Sequence, residues 1–210
     1  MRIGKIVKSN THVDYVCQVY GPGEIVNPSP APEEYAFGTF VRAGLSTDAA
    51  YPQVTSEARS PGSYLVGLIY STILMNPEFG NLGPRLSPPA DLEVFSPDYL
   101  REQATLVGVV AVGQVTPDGT HQGVPRLAAA VGTEVEAMSA DEMRDFHTAP
   151  SGDGLALAYA PLLLAQGDPL MPHLLLNVVN RLVDLFPDQA RQLAVLRGNL
   201  AWKTAVTPAE

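Results

Sequence analysis

Apolar and polar residues alternate from the start of the chain. In MRIGKIVKSNTHVDYVCQVYGPGE the alternation breaks at Ser9–Asn10–Thr11 and then resumes. Period-two patterning of this kind predicts two strands, over residues 2–8 and 12–20, that close on each other. In the second, Val13, Tyr15, Cys17 and Val19 share one face and His12, Asp14 and Gln18 the other, because side chains in a strand point alternately to opposite sides. Gly21-Pro22-Gly23 ends it, and residues 25–33 read as a proline-rich loop. Tyr35–Ala43 (YAFGTFVRA) reads as the next strand, followed by a long polar loop over 44–63.

Two stretches change texture. Tyr64–Met75 (YLVGLIYSTILM) and Ala104–Thr116 (ATLVGVVAVGQVT) are almost continuously apolar and rich in β-branched residues. That pattern predicts central strands buried on both faces. Between them, residues 76–98 form a second long connector, and Tyr99–Gln103 a helical turn behind Asp98. Pro117-Asp118-Gly119 is a strong turn, and Thr133–Ala137 a last strand. Ser139 then opens a short helix through about Phe146, with Glu142 three residues on as its capping-box partner.

After residue 148 the period becomes helical. Asp153–Gln166 reads as a helix kinked or divided by Pro161. Met171–Phe186 carries Leu175, Val178, Val179, Leu182 and Phe186 on one face, with Asn177, Asn180, Arg181 and Asp184 largely opposite. Pro187 ends it, since a helix usually stops before proline. Asp188–Lys203 follows, with Leu193, Leu196 and Leu200 as its stripe. The expected fold class is therefore α+β: an N-terminal small antiparallel β-barrel with long loops, residues 1–148, followed by a C-terminal α-helical hairpin, residues 149–210. The stripe could pack on the barrel, within the hairpin or against a second chain, and packing within the chain is the default because short isolated helices are marginal. Trp202 fits equally an anchor for a partner and an ordinary closer of the core.

Composition sharpens this picture. The 19 prolines and 18 glycines fall mostly before residue 152, which suits strands joined by turns. The net charge is −9, and residues 1–150 hold 9 Lys/Arg against 17 Asp/Glu. Such a field repels phosphate backbones, so nucleic acid is not an expected partner. No basic cluster suits a membrane surface, and the apolar runs fall short of the ~20 residues a membrane helix requires. The start lacks a signal-peptide core, so a cytoplasmic protein without an integral membrane segment is expected. One cysteine excludes an internal disulfide, and its place in the alternating series makes Cys17 a buried filler.

The run IGKIVKSNTHVDYVCQV, then EEYAFGTFVRA, then YLVGLIYSTI, then GVPRLAAAVGTEVEAMSADEMRDF resembles the HAS barrel, named for HerA and ATP synthase. The likeness covers about residues 2–147. Its opening Gly-Lys-Ile-Val strand, Gly67, and the closing stretch through Pro125, Gly132, Thr133, Val135 and Ser139–Phe146 carry it. The resemblance implies a small barrel that in its hexameric motors precedes an ATPase core and supports ring assembly or docks a partner. Here the phosphate-binding GxxxxGK[ST] loop is missing. The lysines are Lys5, Lys8 and Lys203, none behind a glycine loop. The chain thus resembles a barrel without its motor.

Candidate chemistry is sparse. The histidines His12, His121, His147 and His173 show no i, i+4 pair, so a metal site would need distant residues to converge. His147–Gly154 could hold an anion on free N–H groups, or serve as a linker with Asp153 as a helix N-cap. The pairs Glu33-Glu34 and Asp141-Glu142 suit solvation and helix dipoles. No catalytic, cofactor-binding or metal residues are assigned, and no cofactor is expected. The reading is a non-enzymatic interaction protein, an adaptor or assembly factor with protein partners, self-association included. The alternative is a small-molecule-binding or enzymatic barrel with a site between barrel and hairpin, drawn from Arg42, Arg126, His121 and Asp153, residues that flank turns.

Overall fold

Strand pairing closes into a ring. In the computed structural model, which describes residues 1–21, 23–24, 29–45, 62–75, 104–149, 152 and 154–206, seven strands form one antiparallel sheet. These are β1 (Arg2–Ser9), β2 (Asp14–Val19), β3 (Phe40–Gly44), β4 (Tyr64–Met75), β5 (Ala104–Thr116), β6 (Gly119–Gln122) and β7 (Glu134–Ala137). Their order is β2-β1-β7-β3-β4-β5-β6, and a further pairing of β2 with β5 joins the ends. Six strands therefore make a closed barrel, and β6 is a hairpin arm on β5. Closure pairs each ring strand with two neighbours over part of its length, which limits the open edges that would invite strand addition. The connectors at 46–61 and 76–98, the turn at Tyr99–Gln103 and the candidate Asp153 lie outside the described residues.

The alternation of side chains sorts two cores onto the two sides of this sheet. Inside the barrel sit Ile3, Tyr15, Cys17, Val41, Ile69 and Val109 among other apolar residues, as one cluster. Cys17 is fully buried, and burial pushes its thiol up to about 12, which makes it inert packing. Outside, the intervening residues Phe40, Val66, Leu68, Val110 and Val112 belong to a second cluster shared with the helices. This is why β4 and β5 read as apolar on both faces: one face looks into the barrel and the other lies under a helical layer.

Closure is tight where β1 meets β2. A Cβ on Gly4 would fall 2.0 Å from the Gln18 carbonyl oxygen, so only glycine fits. Gly38, at φ +83, makes the turn that leads into β3, and a Cβ there would lie 2.6 Å from the Asn177 side-chain oxygen. The turn and the helix carrying Asn177 are thereby pressed together.

Among the described residues four α-helices follow: α1 (Ala140–His147), α2 (Ala160–Leu164), α3 (Met171–Leu185) and α4 (Ala190–Val206). The expected cap on α1 is present. The Glu142 N–H donates to Ser139 Oγ at 3.2 Å, and the Ser139 N–H donates to Glu142 Oε2 at 2.8 Å. Helix α3 buries Met171, Leu174, Leu175, Val178, Val179 and Leu182 against the outer face of the barrel, and α4 adds Leu193 and Leu200 to the same core. The stripe thus packs within its own chain.

Several expectations shift. The strand read over Tyr35–Ala43 begins only at Phe40; Pro32–Tyr35 is a 3₁₀ turn, because Pro32 supplies no ladder N–H and Gly38 turns the chain. Between residues 154 and 159 the chain is not helical. Gly154, at φ +127, and the bridge between Thr148 and Leu155 hold it otherwise, and Pro161 falls in the first turn of the short α2, where its missing N–H costs nothing. The far end of β4 is exposed rather than buried: Ile73, Leu74 and Met75 are 50, 79 and 53% accessible. Its pairing with β3 ends at Leu68, Ile69 still bonds Gly38 and Thr39, and beyond that point β5 is the strand that flanks it among the described residues.

Candidate docking surface

The stretch between β6 and β7 crosses one side of the barrel as an irregular loop, residues 123–133, yet its backbone is tied down along its length. Gly123 N–H donates to the Val112 carbonyl at 2.8 Å, and Gly132 N–H to that of Ile6 at 2.7 Å. Arg126 N–H donates to Gln114 Oε1 at 2.9 Å, which satisfies a buried side chain. The His12 ring donates from Nε2 to the Pro125 carbonyl at 2.8 Å, and Ala129 N–H donates to the Tyr15 hydroxyl oxygen at 3.3 Å. Tyr15 in turn donates to the His12 carbonyl at 2.9 Å. Desolvation raises its pKa, partly offset by the Ala129 bond, so the hydroxyl remains a neutral hinge between strand and loop.

Pro125 is buried and Ala129 packs half-buried on the barrel core, while Val124, Arg126, Leu127, Ala128, Ala130 and Val131 face out. Val124, Leu127 and Val131 are 51, 47 and 60% exposed. Residues 119–133 contain no acidic side chain, and Arg126 is the single Lys or Arg among them, on a chain of net charge −9. The result is an apolar crest with one positive charge, presented by a backbone already held in place. A pre-ordered surface loses less conformational freedom on binding than a loose one.

On another side, an ion-pair web joins barrel and helix. Arg42 on β3 donates to Glu136 of β7, at 2.9 Å from Nη2, and to Glu142 of α1, and its guanidinium lies 5.8 Å over the Tyr64 ring. Arg2 reaches Glu134 at 3.4 Å. Burial, then the Glu142 charge, raises the Tyr64 pKa, while Arg42 pulls the other way.

Of the residues of the alternative site, Asp153 lies outside the described residues, and Arg42 and His121 are not drawn together. Arg42 is spent on Glu136 and Glu142, and His121 stands exposed on β6. In the sheet order β3-β4-β5-β6 those two strands are three steps apart, about 14 Å at the usual strand spacing. Arg126 is exposed on the crest. Glu34 bonds the Ala31 N–H at 2.7 Å, and Asp141 and Glu142 open α1, so these carboxylates act on backbone and dipole. Among the described residues no three His, Cys, Asp or Glu converge as metal ligands, and no helix is long and apolar enough to cross a membrane. Trp202 is 70% exposed, which rules out the closing of a core.

Two side chains stood out only in three dimensions. Gln122 donates from Nε2 to the Phe146 and Ala156 carbonyls, at 2.9 and 3.0 Å, and accepts from Ala158 N–H at 2.7 Å. It thereby sews the hairpin arm to the α1–α2 connection. His147 is fully buried, with Nδ1–H donating to the Met143 carbonyl at 2.7 Å and Nε2 accepting from the Tyr159 hydroxyl at 2.9 Å.

These features define a class: a small closed antiparallel barrel with a helical layer on one outer face and an anchored apolar crest on another part of its surface. A family model described as Domain of unknown function (DUF8166) matches residues 1–209, and the chain belongs to that family. No curated protein matches the chain.

Proposed function

We propose that this protein is a non-enzymatic interaction module, an adaptor or assembly factor, related to the HAS barrels. Its crest, Val124 to Val131, seats in another polypeptide. The observation that carries this reading is the pairing of exposed apolar side chains with a backbone anchored at five points by strand atoms and by His12, Tyr15 and Gln114. Scattered exposed apolar residues are ordinary; a pinned group of them suits a partner. The chemistry of the crest selects that partner: an apolar recess for Leu127 and its neighbours, rimmed by a carboxylate for Arg126. The barrel interior supports the same reading, because apolar side chains fill it.

The test compares the intact chain with a Leu127→Asp/Val131→Asp double variant and with a remote surface control, Asp184→Asn on α3. All three are immobilised and exposed to native extract, and their solution masses are followed across concentration. A protein retained by wild type and control but lost by the crest variant is the expected result, and self-association broken only by the crest variant is the same result with a second copy as partner. Binding that survives the double variant, or a strict monomer that retains nothing, overturns the proposal.

A further inference from the structure

We infer that the His147–Tyr159 pair is an acid-sensitive latch that fastens the α1–α2 connection onto the outer face of the barrel. The ring of His147 closes α1 and is enclosed by aromatic neighbours. Phe40 of β3 and Phe146 of α1 meet it edge-on at 5.1 Å between centroids, and Tyr159 at 5.7 Å. Both ring nitrogens are engaged, and the engagement fixes one tautomer. A carbonyl only accepts, so Nδ1 carries the hydrogen donated to Met143; Nε2 then keeps its lone pair for the Tyr159 O–H. The pair bridges a twelve-residue interval that is otherwise held by the Thr148–Leu155 bridge, the Ala156 N–H on the His147 carbonyl, and Gln122.

A proton on Nε2 reverses that bond. The ring becomes a donor at both nitrogens, the Tyr159 hydroxyl must turn round to accept, and a full charge sits inside an apolar layer. Among the described residues no carboxylate is placed to receive it. Met143, Phe40 and Phe146 carry no charge, and among the described residues Tyr159 is the titratable group against the ring; burial holds its pKa well above the ordinary value, so it stays neutral. Of the charged groups of β3 and α1, Arg42 pairs with Glu142 and Arg144 with Asp141, while Asp145 stands exposed on the outer side of α1. From α3 the residues in this core are apolar, Leu174, Leu175 and Val178 among them. Desolvation accordingly lowers the His147 pKa from 6.5 to about 4, against a smaller opposing effect of the Met143 bond.

The sign follows from linkage. The folded pKa lies below the unfolded one, so the latch is at full strength above about pH 6.5 and weakens as pH falls toward 4. Between pH 7 and pH 5 the equilibrium for opening rises about twentyfold, from the difference of those two values. Relief comes most easily by parting Tyr159 and the Ala156 N–H from His147. The ring of barrel strands closes through its own ladders without His147, and opening uncovers the apolar faces of Phe40 and Phe146.

Amide exchange in the intact chain reads this directly, with rates corrected for their intrinsic pH dependence. The protection of Ala156, whose N–H rests on the His147 carbonyl, is expected to fall about twentyfold from pH 7 to pH 5 in the wild type. In His147→Gln, which keeps a neutral donor and acceptor, that fall is expected to vanish. Ala111, bonded into the barrel through the Val13 carbonyl, is expected to stay better protected than Ala156 at both pH values. An unchanged Ala156, the same fall in His147→Gln, or equal protection of the two amides overturns the latch. If His147→Gln does not fold, the ring resonance of wild-type His147 decides: no titration above pH 5 supports the latch, and a midpoint near 6.5 overturns it.

Discussion

Gln122→Ala is the change that most sharply tests how barrel and helices are joined. The side chain makes three hydrogen bonds to backbone, at 2.9, 3.0 and 2.7 Å, to Phe146, Ala156 and Ala158. At roughly 1 kcal/mol net each, their loss comes to about 3 kcal/mol if the freed carbonyls and N–H stay dry, and about 2 kcal/mol if water reaches them. Gln122 is half-buried, so the range is set by that access. In a chain of this length each kcal/mol moves the midpoint by roughly 2–4 °C, so a drop of about 4–12 °C is expected. Urea unfolding followed by circular dichroism gives the free energy, with an unchanged slope showing that the same surface is exposed. Gln122→Glu adds a control with a definite sign. It keeps the acceptor for Ala158 but turns a carboxylate onto two carbonyls, so it is expected to cost more than alanine at neutral pH. An alanine variant within about 0.5 kcal/mol of wild type, or a glutamate variant milder than alanine, would refute the idea that Gln122 sews β6 to the helical layer.

Other changes address the barrel and its surface. Gly4→Ala places a methyl 2.0 Å from the Gln18 carbonyl, a clash with backbone that can be relieved only by parting β1 from β2; a loss of roughly 3 kcal/mol or more, or failure to fold, is expected in the same urea assay. Arg42→Met removes ion pairs whose partners are part-exposed, so screening limits the loss to about 1 kcal/mol, and the gap to wild type should shrink in 1 M salt; a salt-independent difference would point to packing instead. Cys17, with its thiol pushed up to about 12 and its side chain fully buried, should resist a disulfide reagent at pH 8 in the native protein and react with one fast equivalent in urea; rapid native labelling would contradict its placement inside the barrel.

What the sequence made legible was mostly local. The bounds of β4 and β5 follow from unbroken apolar runs ended by proline and by Pro117-Asp118-Gly119, and the Ser139–Glu142 cap from a four-residue signature. Helix α3 follows from its stripe and from Pro187. Two-faced burial of β4 was readable only as far as Ile69, because where a neighbouring strand stops is a property of register and not of composition. The segment after residue 153 misled for a related reason: its apolar content suits a helix, but Gly154 and Pro161 set its backbone and Gln122, over thirty residues away, holds it. The roles of His147 and Gln122 have no sequence signal at all, since each depends on partners brought in by the fold. The crest was partly visible. Its stretch GVPRLAAAV carries part of the family likeness, while its exposure and its anchoring by His12, Tyr15 and Gln114 appear only when the barrel closes.

The central claim is that the outward face of residues 124–131 is where another polypeptide seats. A photoreactive side chain placed at Leu127, compared with one at the exposed Asp184, tests it inside the native cell. One discrete adduct from position 127, absent from position 184, is the expected result. No adduct at 127, or the same products from both positions, would contradict the account.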